Sequence, residues 1–247
     1  MHIVLSFCKT MKLKNYIFFV ALVWSSLLYS QKAPILIGAS ASYNYTGRIT
    51  DKKQLNSSVL ATIPLAYIFR GETKIDPNLY IANIEQALNY KASQRFFIGG
   101  GYTLQLYRVS QGFRVWDKRL FLQATLLDSS KKSEFQHRLR YEKRNISVWY
   151  YIPIGINHRL RYRFMVSTPI DKNKYLTINA EPYLSLSKNI PTRFNELWWY
   201  IGFGKKTKPN QRFEFGLQSI NWRFSKNSWQ KQYYFSIGWF RALKGDN

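Results

Sequence analysis

Cysteine is almost missing from this chain: Cys8 is the only one in 247 residues, and it sits in a leader-like stretch. Beyond that stretch no disulfide, thiol chemistry or cysteine-ligated metal is available. Acidic side chains are scarce, 13 against 37 Lys and Arg, for a formal charge of +24. Histidine is scarcer, with three. Apolar runs of about 20 residues are absent and mean hydropathy is -0.32, which excludes a bundle of membrane-spanning helices. Aromatics, by contrast, abound: 17 Phe, 18 Tyr and 8 Trp. That much apolar material excludes a disordered chain.

From Met11 the sequence reads MKLKNYIFFVALVWSSLLYSQ. Lys12 and Lys14 make a positive start, Tyr16 to Leu28 an apolar run too short to span a bilayer comfortably, and Ser30 a small residue at its end. The pattern is that of a secretory signal peptide over residues 1–30, cleaved after about Ser30. Met11 begins a complete signal by itself, so residues 1–10 read as an upstream start. Removing 1–30 takes Lys9, Lys12 and Lys14 and no acids, so the mature charge is 24 − 3 = +21. No cysteine follows the run, which argues against a lipoprotein anchor. The expectation is an exported protein whose fold occupies 31–247.

After Lys32 the chain alternates apolar and polar residues in long stretches separated by turns. Candidate strands are 35–45, 58–69, 78–90, 94–107, 116–128, 133–144, 157–169, 174–187, 195–206, 210–223 and 230–242. One puts Leu197, Trp199, Ile201 and Phe203 on a single face. The next sets Phe213, Phe215 and Leu217 against Arg212, Glu214 and Gln218. No sustained helical period occurs. Sandwich strands average about five or six residues, whereas bilayer-spanning ones need about nine to eleven; these fit the longer class. Trp116, Trp149, Tyr150, Tyr151, Trp198, Trp222 and Trp229 gather near strand ends, as interfacial girdles do.

The expected fold is therefore all-β, a single antiparallel transmembrane β-barrel in the outer membrane of a Gram-negative bacterium. Short turns at 91–93, 129–132, 170–173 and 207–209 fall on the periplasmic side. Longer loops at 108–115, 145–156 and 188–194 fall outside. Strands from 58–69 onward number about ten. Strand 35–45 is left over: either it stands outside the wall, or two strands are merged and the count is about twelve.

GGGY at Gly99–Tyr102, HRLRYEKR at His137–Arg144, RLRYRF at Arg159–Phe164, NAEPYLSL at Asn179–Leu186, FNELWWYIGFG at Phe194–Gly204 and RFEFGLQ at Arg212–Gln218 resemble one family. It is the Bacteroidota outer-membrane barrel family catalogued as domain of unknown function 2490. The resemblance covers most of the chain after about residue 94. Leu197 and Trp198 stand where that family usually carries Asn-Arg. It implies an outer-membrane barrel and brings no established activity.

A charge of +24 with many aromatics would fit a nucleic-acid binder. Here, however, basic residues alternate with apolar ones along strands and form no patch, so no nucleic acid is expected. Outer-membrane lipid and lipopolysaccharide are the expected partners, met by Lys188, Arg193, Lys226 and Lys231. A membrane-protein partner stays open, as does the oligomeric state. The remaining alternative, an outer-membrane lipid-modifying enzyme such as a phospholipase or acyltransferase, would need a positioned nucleophile or base. The remaining histidines, His137 and His158, share parity with lipid-facing neighbours and lie some 20 Å apart along the strands. No metal-ligand spacing appears, so neither enzyme activity nor a cofactor is expected.

Arg138, Arg140, Glu142 and Arg144 share one face of their strand, Arg159, Arg161 and Arg163 one face of the next, and Glu181 the inner face of the third. These are the candidate lumen residues. They serve either as an ion-pair network that fills a narrow barrel or as a selector of anions along a pore. A hairpin closing at 145–156 with Arg144 opposite Asn157 sets Glu142 against Arg159, Arg140 against Arg161 and Arg138 against Arg163. The same loop presents Trp149, Tyr150 and Tyr151 as an extracellular aromatic loop.

Overall fold

The computed structural model describes residues 35–69, 72–74, 80–108, 114–130, 132–148, 152–186, 194–225 and 228–242. The leader with its cleavage point, the aromatic triplet Trp149, Tyr150 and Tyr151, and the cations Lys188, Arg193 and Lys226 lie outside the described residues.

Every described element is a strand: β1 (Ile35–Arg48), β2 (Lys53–Phe69), β3 (Glu72–Lys74), β4 (Tyr80–Lys91), β5 (Phe96–Arg108), β6 (Arg114–Ser129), β7 (Glu134–Val148), β8 (Ile152–Pro169), β9 (Lys174–Ser185), β10 (Phe194–Lys208), β11 (Gln211–Ser225) and β12 (Ser228–Ala242). All twelve join one sheet, and β3 pairs with β2 alone, which leaves 12 − 1 = 11 wall strands. Consecutive wall strands are antiparallel. The wall closes where β1 pairs with β2 on one side and with β12 on the other. The strand left over in the sequence reading is thus the closing strand of the wall. Eleven alternating directions bring the first and last strands together pointing the same way, so the β1–β12 seam is parallel, Ile35 beside Lys231 and Thr46 beside Ala242. Lys231, expected among the exposed cations that meet lipopolysaccharide, is instead buried, at the seam where β12 pairs with β1.

Tight turns at one rim are held by short polar side chains. The Asp171 carboxylate accepts the backbone N–H groups of Asn173 and Lys174, both at 2.8 Å. Ser93 Oγ accepts the N–H of Phe96 at 3.1 Å. Such side chains supply a substitute for backbone partners where the ladder ends. Four of the register shifts, at Ile146/Ser147, Phe194/Glu196, Lys206/Lys208 and Arg223/Ser225, also fall near strand ends, where barrels commonly place bulges.

The loop expected at 145–156 is mostly ladder. β7 and β8 stay paired up to Val148 and Ile152. Ile146, Val148, Ile152, Ile154 and Ile156 are β-branched residues that suit a pleated surface, so the hairpin runs on past the point where the charged pattern stops.

Polarity is inverted relative to a water-soluble fold. Leu120 and Leu122 of β6 are 61% and 67% exposed, and Phe235 of β12 is 62% exposed, all facing outward. Asp117, Arg140, Glu142 and Arg159 face inward and are buried. Glycines make room for this interior. A Cβ on Gly101 would stand 2.1 Å from the Gln86 carbonyl and 2.5 Å from the ring of Phe121. A Cβ on Gly204 would stand 2.1 Å from Tyr175 Cζ. The first two glycines of the GGGY run therefore let β5 pass close to its neighbours, and the third leaves space for the ring beneath Arg140 (Arg140 Cζ lies 3.8 Å from its centroid).

Candidate functional site

The β7–β8 register places Arg144 opposite Asn157, Glu142 opposite Arg159, Arg140 opposite Arg161 and Arg138 opposite Arg163. Strand alternation then sends all of these arginines and Glu142 into the lumen, since a one-residue slip would turn every one of them outward. On the other flank of β8, Arg161 pairs with Tyr183 and Phe164 with Ala180, which brings Glu181 level with Arg163.

Glu142 is fully buried and sits at the middle of the cluster. Its Oε2 accepts from Arg159 Nε at 2.9 Å and Nη2 at 2.6 Å, and its Oε1 accepts from Arg161 Nη1. Arg159 also donates from Nη1 to Glu196 Oε2 at 2.8 Å. Arg161 donates from Nε to Glu181 Oε1 at 3.2 Å, and Arg138 Nη2 reaches the same oxygen at 2.9 Å. A continuous chain results: Glu196, Arg159, Glu142, Arg161, Glu181, Arg138. Tyr183 lies beneath it, with the guanidiniums of Arg159 and Arg161 over its ring at 4.4 and 4.6 Å.

Three further ion pairs, one at Glu85 and two at Asp117, flank the chain. Arg140 grips Glu85 of β4 with both Nη atoms at 2.7 Å, and its Nε and Nη2 donate to Gln123 Oε1 at 3.1 and 2.8 Å. Asp117 of β6 accepts from Arg119 Nε at 2.9 Å, from Arg144 Nε at 3.1 Å and from Tyr107 OH at 3.2 Å. Bidentate guanidinium contacts suit this dry interior because the planar fork satisfies two acceptors while staying charged.

Arg163 stands apart. Its Nη2 donates to Gln136 Oε1 at 2.5 Å, its Nε has no hydrogen-bond partner, and among the described residues it makes no ion pair. Sequence reasoning anticipated two carboxylates among these arginines. The structure adds Glu85, Asp117 and Glu196, together with Arg119, and near the tight-turn rim Glu214, whose Oε1 accepts from Tyr175 OH at 2.6 Å. Parity within their strands would have placed each of them inside. Glu85 and Glu196 occur singly, and Asp117 and Glu214 each have one arginine beside them at the same parity, so none shows the longer repeat that marks β7 and β8.

The two histidines face outward on the same hairpin. His137 Nδ1 lies 2.7 Å from Tyr162 OH, and Tyr141 OH lies 2.6 Å from His158 Nδ1. The ladder runs from the 137–164 pair to the 143–158 pair between them, roughly 20 Å at about 3.3 Å per residue. They form no dyad.

A closed wall with ion pairs inside and apolar side chains outside defines a β-barrel with a filled, charged interior. The chain belongs to the family described as Protein of unknown function (DUF2490), whose model matches residues 42–232. That span runs from within β1 to within β12, well ahead of the stretch after residue 94 that carried the resemblance. No curated protein matches the chain.

Proposed function

We propose that this protein is an integral outer-membrane β-barrel of a Gram-negative bacterium with a structural or accessory role, its lumen occupied by the arginine–carboxylate network. The observation that carries this reading is the inverted polarity: Leu122 and Phe235 outside, Glu142 and Arg140 buried inside. A hydrocarbon surround stabilises the first set, while mutual pairing satisfies the buried second. Export on the residue 1–30 signal, a periplasmic tight-turn rim and contact with lipopolysaccharide phosphates belong to the same reading. Catalysis and cofactors form no part of it.

The second reading is a narrow anion-preferring channel, favoured by Arg163 lacking a carboxylate partner among the described residues. Planar-bilayer recording separates the two. The structural role expects a silent, heat-modifiable barrel; a steady conductance with an anion-selective reversal potential would replace it with the channel. Recovery of the mature chain in the soluble periplasm would overturn both. For sidedness, a cysteine placed at Asp171, in an exposed tight turn, is expected to be labelled only after lysis. Labelling in whole cells would reverse the orientation.

A further inference from the structure

Between the Glu142 layer and the tight-turn rim the lumen holds a cavity of about 410 Å³, lined from Leu60 and Trp198 down to Thr46 and Arg212. Small-molecule sites commonly measure about 300–1,000 Å³. Asp117, Arg119, Glu142 and Arg159 lie beyond it, toward the other rim. Arg212, at its lower edge, has a side chain 43% exposed, so the space reaches solvent at the tight-turn end.

The cavity collects the unsatisfied chemistry of the interior. Among the described residues six buried side-chain atoms lack a hydrogen-bond partner: Asn56 Oδ1, Asn83 Oδ1, Arg138 Nε, Arg163 Nε, Arg212 Nε and Trp222 Nε1. All but Trp222 line this one cavity. A second space of about 130 Å³ adjoins Arg138, Arg163 and Asn56 as well. Buried donors and acceptors left unpaired cost free energy, and they concentrate here rather than scattering.

Charge points the same way. The lining contains five arginines (Arg138, Arg140, Arg161, Arg163, Arg212) and three glutamates (Glu85, Glu181, Glu214), so its formal balance is 5 − 3 = +2. Arg140, Arg161 and Arg138 are engaged by those glutamates, and Arg212 lies over the Phe240 ring at 4.5 Å with Glu214 at 3.5 Å. Arg161 is also held by Glu142, and Arg138 by Glu181, so the guanidinium left without a carboxylate is Arg163, directly opposed to Arg138 across the β7–β8 ladder. Like charges set opposite one another repel, and an anion between them removes that repulsion. Asn56 and Asn83 project from β2 and β4, with amides able to meet hydroxyls as acceptor or donor.

We propose that this cavity binds a small hydroxylated phosphate monoester, its phosphate held between Arg138 and Arg163 and its hydroxyls against Asn56 and Asn83. The phosphate supplies the anion that Arg163 lacks beside Arg138, and the amides answer the polar body. Nothing in this depends on which membrane surrounds the barrel.

Isothermal titration calorimetry on the full mature chain in zwitterionic detergent tests it, with glucose 6-phosphate, inorganic phosphate and glucose as probes. Glucose 6-phosphate is expected to bind, inorganic phosphate at least tenfold more weakly, and glucose without detectable heat. Arg163→Gln removes the least paired guanidinium, and Asn83→Asp sets a carboxylate in the cavity. Each is expected to weaken glucose 6-phosphate binding at least tenfold while heat-modifiability is retained. If Arg163→Gln fails to fold, Asn83→Asp carries the comparison. Absence of glucose 6-phosphate binding to the unaltered chain, or unchanged affinity in the folded variants, would overturn the site. Equal affinity for inorganic phosphate would overturn the assignment of a hydroxylated ligand. Because the measurement is made in detergent, its failure leaves the outer-membrane reading untouched, and failure of fractionation leaves this site untouched.

Discussion

The barrel has two unlike halves. From β4 to β10 the inner wall carries long charged side chains that cross the lumen and satisfy one another. From β12 through the seam to β2 it carries Ser40, Ser42, Ser236 and Gly238, with Leu36 and Tyr234 in an apolar cluster that Ile220 completes and Trp198 and Trp222 pack; β11, with Arg212 and Glu214 on its inner face, stands between the two. Ser40 donates to Ser236 at 2.9 Å across the seam. The contrast is one of volume as well as charge. Arginines extending from β7 and β8 need free cross-section, and small side chains on the facing strands leave it. What the arginines do not fill remains as the cavity. One half is held by charge pairing, the other by close backbone approach and a small apolar cluster.

Glu142→Gln should break that arrangement most severely. It leaves Arg159 and Arg161 short of charge in a dry interior, at a cost of about 3–5 kcal/mol, read as a lower heat-modifiability midpoint. Glu181→Gln should act in the same direction by a smaller amount, since Arg161 keeps Glu142. Unchanged stability in both, with a shifted reversal potential, would favour the channel. Next comes Leu122→Arg on the outer face, expected to cost about 2–4 kcal/mol if that face meets lipid; a midpoint equal to the unaltered chain would argue that it does not. Tyr175→Phe removes the hydroxyl that donates to buried Glu214 and should cost about 1–3 kcal/mol. In the seam half, Ser42→Ala should change the midpoint by about 0.5 kcal/mol or less. A large loss there would show that the seam half carries more of the stability than its small polar residues imply.

How much of this was legible in the sequence follows from redundancy. The β7–β8 register could be read because charged residues repeat at every second position on both strands, so only one alignment keeps them all inside. Glu85 and Glu196 are the single acids of β4 and β10, and Asp117 has only Arg119 near it at the same parity, so each looks like any other polar residue. The closing strand was hard to place because an even count was the premise, and composition says nothing about whether a seam is parallel. Beyond Asn145 the aromatics and Pro153 interrupt the alternation and give the sequence a loop-like pattern, although the isoleucines around them prefer extended backbone. Bulges leave no mark in the pattern until the partners are known.

The parallel seam has a practical result. In a barrel with an even number of strands the two chain ends of the wall meet at one rim, and a short linker can join them. Here Ile35 lies beside Lys231 at the loop rim, while Ala242 lies at the tight-turn rim beside Thr46. A circular permutant of this chain would need a tether running the height of the wall, roughly 35 Å for the ten or so rungs between those pairs. Epitope tags fused at the two ends of the wall would likewise stand at opposite rims of the barrel.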